Sequence, residues 1–201
     1  MIEYRIHPIE ERNKSRFESY LGWNKSWWSY YRQFKNAAHL MVREVEENRL
    51  PIDTISLPML FAIRHCIEVG LKANILALEP LNESIARIDI GGRKSHSIRH
   101  LSQVFEQHLI LLIEQQTISE PTAMAVKGYL ATFAGLQSVL SRLDDSSTNF
   151  RYPVDTKLTP VFHPMQRENL SGIVDAFAQA QAFIEFTLQV LSDEGVFREE
   201  D

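Results

Sequence analysis

The sequence predicts an all-α protein, an antiparallel bundle of about five to six helices with a short extended arm or hairpin before the last one. Three observations carry that prediction. Apolar residues recur at steps of three and four over long segments, alternation with a period of two is almost absent, and prolines and polar clusters mark short connections between the segments.

The first helical pattern runs from Pro8 to about Asn48, on Phe17, Tyr20, Leu21, Trp27, Trp28, Tyr31, Phe34, Ala38, Leu40, Met41 and Val45, with Gly22, Trp23 and Asn24 as a place where it divides in two. Leu50, Pro51, Ile52 and Asp53 read as a connection, because proline drives the residue before it out of the helical region. A second helix covers Leu57 to Leu78, with Ser56 near its cap, Pro58 in its first turn and Pro80 past its end. Asn82 to Ser95 read as a loop or a short strand. Helices follow over Ser97 to Gln116 and Glu120 to Leu143, the latter opening on Pro121. Asp144 to Thr148 form a turn cluster, and Phe150 to Pro164, broken by Pro153 and Pro160, suit an extended arm or small hairpin. Gln166 to Leu191 form the last amphipathic helix, followed by the acidic tail Glu199, Glu200, Asp201.

A chain of 201 residues is predicted to fold as one domain, residues 1–201. Hydrophobic residues at 44% and charged ones at 23% fit a globular protein and argue against a disordered or fibrous one. The net charge of −5 argues against a broad nucleic-acid-coating surface while leaving room for a local basic site. No segment approaches the ~20 consecutive apolar residues of a membrane span. The amino-terminal residues carry no secretory h-region, and the single Cys66 permits no internal disulfide, so a cytoplasmic protein without a membrane partner is expected.

Arg64, His65, Glu68 and Lys72 fall within about 100° of one another on the second helix, opposite Met59, Leu60, Ile63, Cys66, Ile67, Gly70, Leu71 and Ala73. One reading is a solvated face with two i, i+4 ion pairs, each worth about 0.2–0.5 kcal/mol. The other is a cleft in which an imidazole moves a proton and a guanidinium holds a phosphate. In KSHSIRHL, His96 and His100 are spaced to face one metal ion, but no third ligand is evident and the neighbours are cationic, so no metal and no cofactor is predicted. A phosphate suits Arg93, Lys94, His96 and Arg99 at a helix start better, although histidines near helix ends are also plain capping or solvated groups. In FRYP, Arg151 stands between Phe150 and Tyr152, and either reaches outward or meets a carboxylate such as Glu68 or Asp144. The aromatic stretch WNKSWWSYYRQF fits a core stripe or a binding surface.

The run LFAIRHCIEVGLKANIL at Leu60 to Leu76, the histidines of KSHSIRHL and FRYP after an acidic turn together resemble bacterial HEPN-like domains, over about Leu57 to Asp155. The resemblance implies a homodimeric helical bundle acting on RNA or a nucleotide, and in active members a metal-independent endoribonuclease of toxin or antiphage defence, with a defence-system or antitoxin protein as partner. Such ribonucleases carry Arg and His with four to six residues between them. Arg32 with His39 and Arg93 with His100 fit that spacing, earlier in the chain than the family's usual position. On this reading Arg64, His65, Glu68 and Arg151 are the candidate catalytic residues, and Lys72, Arg93, His96, Arg99, His100 and Tyr152 bind substrate. A noncatalytic helical adaptor that dimerises or docks to a partner is the alternative.

Overall fold

A computed structural model describes residues 8–19, 26–143, 150–155, 157–162 and 167–196. Among them the protein is all-α, with five α-helices: α1 (Trp27–Glu46), α2 (Ser56–Leu78), α3 (Ile98–Glu114), α4 (Glu120–Leu143) and α5 (Ser171–Asp193). Short 3-10 helices lie at Glu11–Phe17, Ile52–Thr54, Glu79–Leu81 and Arg93–His96. The expected arm is a small hairpin, in which Val154 and Pro160 form an antiparallel bridge and Asp155 Oδ1 accepts from the backbone N–H of Lys157 and of Thr159. The first stretch, expected as helix from Pro8, is a 3-10 turn followed by α1. Its proposed break at Gly22, Trp23 and Asn24, the cluster at Asp144 to Thr148 and the tail at Glu199 to Asp201 lie outside the described residues.

Local chemistry accounts for the boundaries. Ser26 caps α1 by accepting from the Ser29 N–H at 3.1 Å, and Ser97 caps α3 by accepting from the His100 N–H at 3.3 Å. Asn48, with φ 54°, ends the turn after α1 in the left-handed region that asparagine tolerates. Gly195, with φ 72°, closes α5, while the Val196 N–H reaches back to the Leu191 carbonyl at 2.8 Å. The segment 82–95 forms turns, with no strand among its residues.

Contacts along the helices fix their directions. Trp27 meets Lys72, Tyr31 meets Gly70 and Phe34 meets His65, so α1 and α2 are antiparallel. The sequence Thr122 to Glu194, Tyr129 to Phe186 and Phe133 to Phe183 makes α4 and α5 antiparallel too. By contrast Glu68 meets His96 and Asn82 meets His108, so α2 and α3 run the same way. The connection 79–97 makes this possible by carrying the chain back alongside the middle of α2, where His96 meets Arg64 and Glu68.

The helix α2 packs against α1, α3 and α5 at once and is buried over most of its surface from Met59 onward. Gly70 is the point of closest approach: a Cβ there would lie 2.9 Å from Tyr31 Cδ2 and 3.0 Å from Ile184. Phe105 of α3, Tyr129 and Phe133 of α4, and Phe183 and Phe186 of α5 form an aromatic cluster in the second half of the core. No helix among the described residues is long and apolar enough to cross a membrane.

Candidate functional site

The polar arc of α2 is not a solvated face. Arg64, Glu68 and Lys72 are 3%, 1% and 3% exposed, because α3 and the turn before it cover them on one side and Trp27 of α1 covers Lys72 on the other. The two i, i+4 pairs exist as expected, but inside the protein: Arg64 Nη1 donates to Glu68 Oε2 at 2.7 Å and Lys72 Nζ to Glu68 Oε1 at 2.8 Å. Three charges of this kind leave water only when their hydrogen bonds are met, and here they are met by one another.

His96 completes it from the short helix before α3. Its Nδ1 lies 3.0 Å from Glu68 Oε1, and its backbone carbonyl accepts from Arg64 Nη2. A carboxylate oxygen only accepts, so Nδ1 carries the proton and Nε2 keeps its lone pair when the ring is neutral. The His96 side chain is 47% exposed, so the imidazole is anchored on the buried side and open on the other. Burial pushes the Glu68 carboxyl up, but the Lys72 and Arg64 hydrogen bonds and charges outweigh it and hold the group below the usual carboxylate range.

His65 sits one step around α2, half-buried between two rings. Phe34 meets it edge-on at 4.4 Å and Phe61 lies nearly parallel to it at 5.5 Å. Burial lowers its pKa from the ordinary imidazole value, against the attraction of Glu68 and with help from the charges of Lys72, Arg64 and Arg151, so the ring is neutral at pH 7. The Arg151 guanidinium lies 6.0 Å from the Phe61 ring centre and 5.8 Å from that of Tyr152. Both Arg151 and Tyr152 are exposed. The hairpin therefore meets α2 through Phe61. Asp144, one carboxylate considered for Arg151, lies outside the described residues.

Arg64, His65, Glu68, Lys72, His96 and Arg151 are thus brought into one neighbourhood, with Tyr152 at its edge. Arg99 is exposed, and its carbonyl accepts from Gln137 Nε2 at 3.0 Å. His100 is half-buried and lines a cavity of about 620 Å3 with Arg87, Lys94, Ser95 and Gln107, so it faces the 85–95 segment. Arg93 opens the 3-10 helix Arg93–His96. Of the alternative Arg–His pair, His39 lies on α1 against α5 and holds Gln181. Among the described residues no group of three or more His, Cys, Asp or Glu could hold a metal ion.

Sequence reasoning missed the aromatic partners Trp27, Phe34 and Phe61. Phe61 lies four residues before His65, a spacing that places both on one helix face and was visible in the chain; the α1 partners become visible only once the helices are paired. Compared with known proteins, the chain matches no protein-family model, no curated protein and no solved structure.

Proposed function

We propose that the chain is an HEPN-like protein acting on RNA, a metal-independent endoribonuclease that works as a homodimer in toxin or antiphage defence, with an antitoxin or defence-system protein as its partner. The observation that carries the reading is the contact between His96 Nδ1 and the buried, ionised Glu68. A carboxylate that fixes the tautomer and orientation of an imidazole while its other nitrogen faces solvent is the arrangement by which histidine becomes a general base. His96 Nε2 takes the proton of a ribose 2'-OH, the 2'-oxygen bonds to the adjacent phosphorus, and the bond from phosphorus to the 5'-oxygen breaks. A proton from solvent or from the imidazolium goes to that leaving oxygen, giving a 2',3'-cyclic phosphate. Arg151 supplies exposed positive charge for the phosphorane, and His65, neutral and held by Phe34 and Phe61, lines the same neighbourhood. Arg64, Glu68 and Lys72 are buried and do not reach substrate; they act as positioning residues. This reassigns His96 from substrate binding to the proton transfer.

Incubating the protein with total RNA in excess EDTA tests the reading. Cleavage that persists under chelation, is lost by a factor of about 10² or more in His96→Ala, and leaves cyclic phosphate ends is expected. Intact RNA beside a folded dimer by light scattering supports the second reading, a noncatalytic adaptor. The specific observation in favour of that reading is that Arg64, Glu68 and Lys72 satisfy one another internally, as a purely structural network does.

A further inference from the structure

Between α1 and α5 lies an open cleft of about 600 Å3, with His39, Leu40 and Arg43 exposed on its α1 wall. Leu40, Val42, Val174, Phe177 and Ala178 give it apolar walls. Gln181 lies at its base and is 8% exposed, a nine-tenths-buried amide aimed into the cleft. Its Oε1 is 2.7 Å from His39 Nε2. An amide oxygen only accepts, so His39 Nε2 carries the proton and Nδ1 is left as an acceptor. The Gln181 NH2 group has no hydrogen-bond partner among the described residues. The amide is held in place through its oxygen and turns its NH2 group to the open side of the cleft, where a ligand carbonyl can take the place of water.

The charges beside it narrow the ligand further. Arg43 follows His39 by four residues on the same face of α1, about 6 Å along the axis, and forms no ion pair among the described residues. It is placed to take an anion. Glu46, on the same lining, disfavours a doubly charged phosphate and leaves a monoanion as the better fit. One turn further along the helices in the opposite direction, Lys35 Nζ and Tyr31 Oη both donate to Glu185 Oε1, at 2.7 and 2.8 Å, and tie α1 to α5.

We infer that the α1–α5 cleft, with Gln181, His39 and Arg43 as its polar contacts, binds a small carboxylate that carries a secondary amide and an apolar group, the chemistry of an N-acylated amino acid. The Gln181 NH2 donates to the ligand carbonyl, the ligand N–H donates to His39 Nδ1, the carboxylate meets Arg43, and the acyl group lies on Leu40 and Phe177. The site is separate from the His96 neighbourhood, and its occupancy does not depend on RNA cleavage.

Titration of the 15N-labelled full chain with N-benzoylglycine, followed by amide shifts, tests the inference. Saturable shifts confined to residues 36–46 of α1 and 174–181 of α5 are expected. They should weaken by about ten-fold or more in Gln181→Leu and in Arg43→Gln, and for N-methylbenzamide, which keeps the ring and amide but lacks the carboxylate. Arg43 is exposed, so its variant keeps the test meaningful if Gln181→Leu does not fold. No saturable shift at millimolar ligand, shifts elsewhere in the bundle, or equal affinity in Arg43→Gln would each overturn it.

Discussion

Glu68 accepts from Lys72 and His96 on one oxygen and from Arg64 on the other, and that sharing sets the cost of changing it. Glu68→Gln removes the carboxylate that Arg64 and Lys72 share inside the protein, and a loss of about 3–5 kcal/mol is expected in urea unfolding. Replacing Arg64, Glu68 and Lys72 together by Met, Leu and Met removes charges and partners at once. The triple variant is therefore expected to unfold at a higher urea midpoint than Glu68→Gln, while losing the anchor of His96. Gly70 makes a different kind of prediction. Its missing side chain is where Tyr31 and Ile184 meet, so Gly70→Ala overpacks the junction of α1, α2 and α5 and should lower stability by about 1–3 kcal/mol, although alanine is the better helix former. A urea midpoint equal to that of the parent chain would show that the junction is looser than described.

At the scale of elements, the helices were legible where the chain punctuates itself. The fourth helix was expected over Glu120 to Leu143 and spans those residues, because Pro121 fits only the first turn and polar residues crowd both ends. The polar arc of α2 is legible in the sequence as a pattern but not as an environment. A helical wheel shows which residues share a face and says nothing about what covers it, and here the cover comes from His96, 28 positions away from Glu68, and from Trp27 of another helix. The same limit hid the cleft between α1 and α5, whose Gln181 and His39 are 142 positions apart. The hairpin was anticipated from its prolines, but not its tip, where Leu158 has φ 62°. Leu158→Gly should relieve that backbone and raise stability by a few tenths to about 1 kcal/mol, read as a higher thermal midpoint.

Across the whole molecule, the bundle combines antiparallel with parallel neighbours among its described helices, and the parallel pairing of α2 with α3 is what brings His96 onto Glu68. A direct turn after α2 would have set the start of α3 beside Asn82 instead. The buried titratable groups predict the acid response. The pKa values of His65 and His108 are lowered by burial, so the unfolded chain binds protons that the folded chain refuses. Their contribution to stability is complete above the ordinary imidazole value of about 6.5 and falls as the pH drops from there toward their folded values. Glu68 adds a second loss at lower pH, because its folded pKa lies below the usual carboxylate range and its contribution goes as the pH falls through that value. Urea midpoints measured between about pH 7 and pH 2 should decline in those two stages, and a midpoint that rises on acidification would contradict the burial of these groups.

Beside the His96–Glu68 contact, the proposed RNA-acting face needs the exposed charge that the Arg151 hairpin brings to α2 next to His65. The most direct measurement is an NMR pH titration of the His65 ring in the parent chain and in Arg151→Ala. Because the Arg151 charge helps hold His65 neutral, its removal should move the His65 pKa upward toward the ordinary imidazole value. An unchanged His65 titration in Arg151→Ala would mean that the hairpin and α2 do not share a site, and the proposed RNA-acting face would lose its exposed cation.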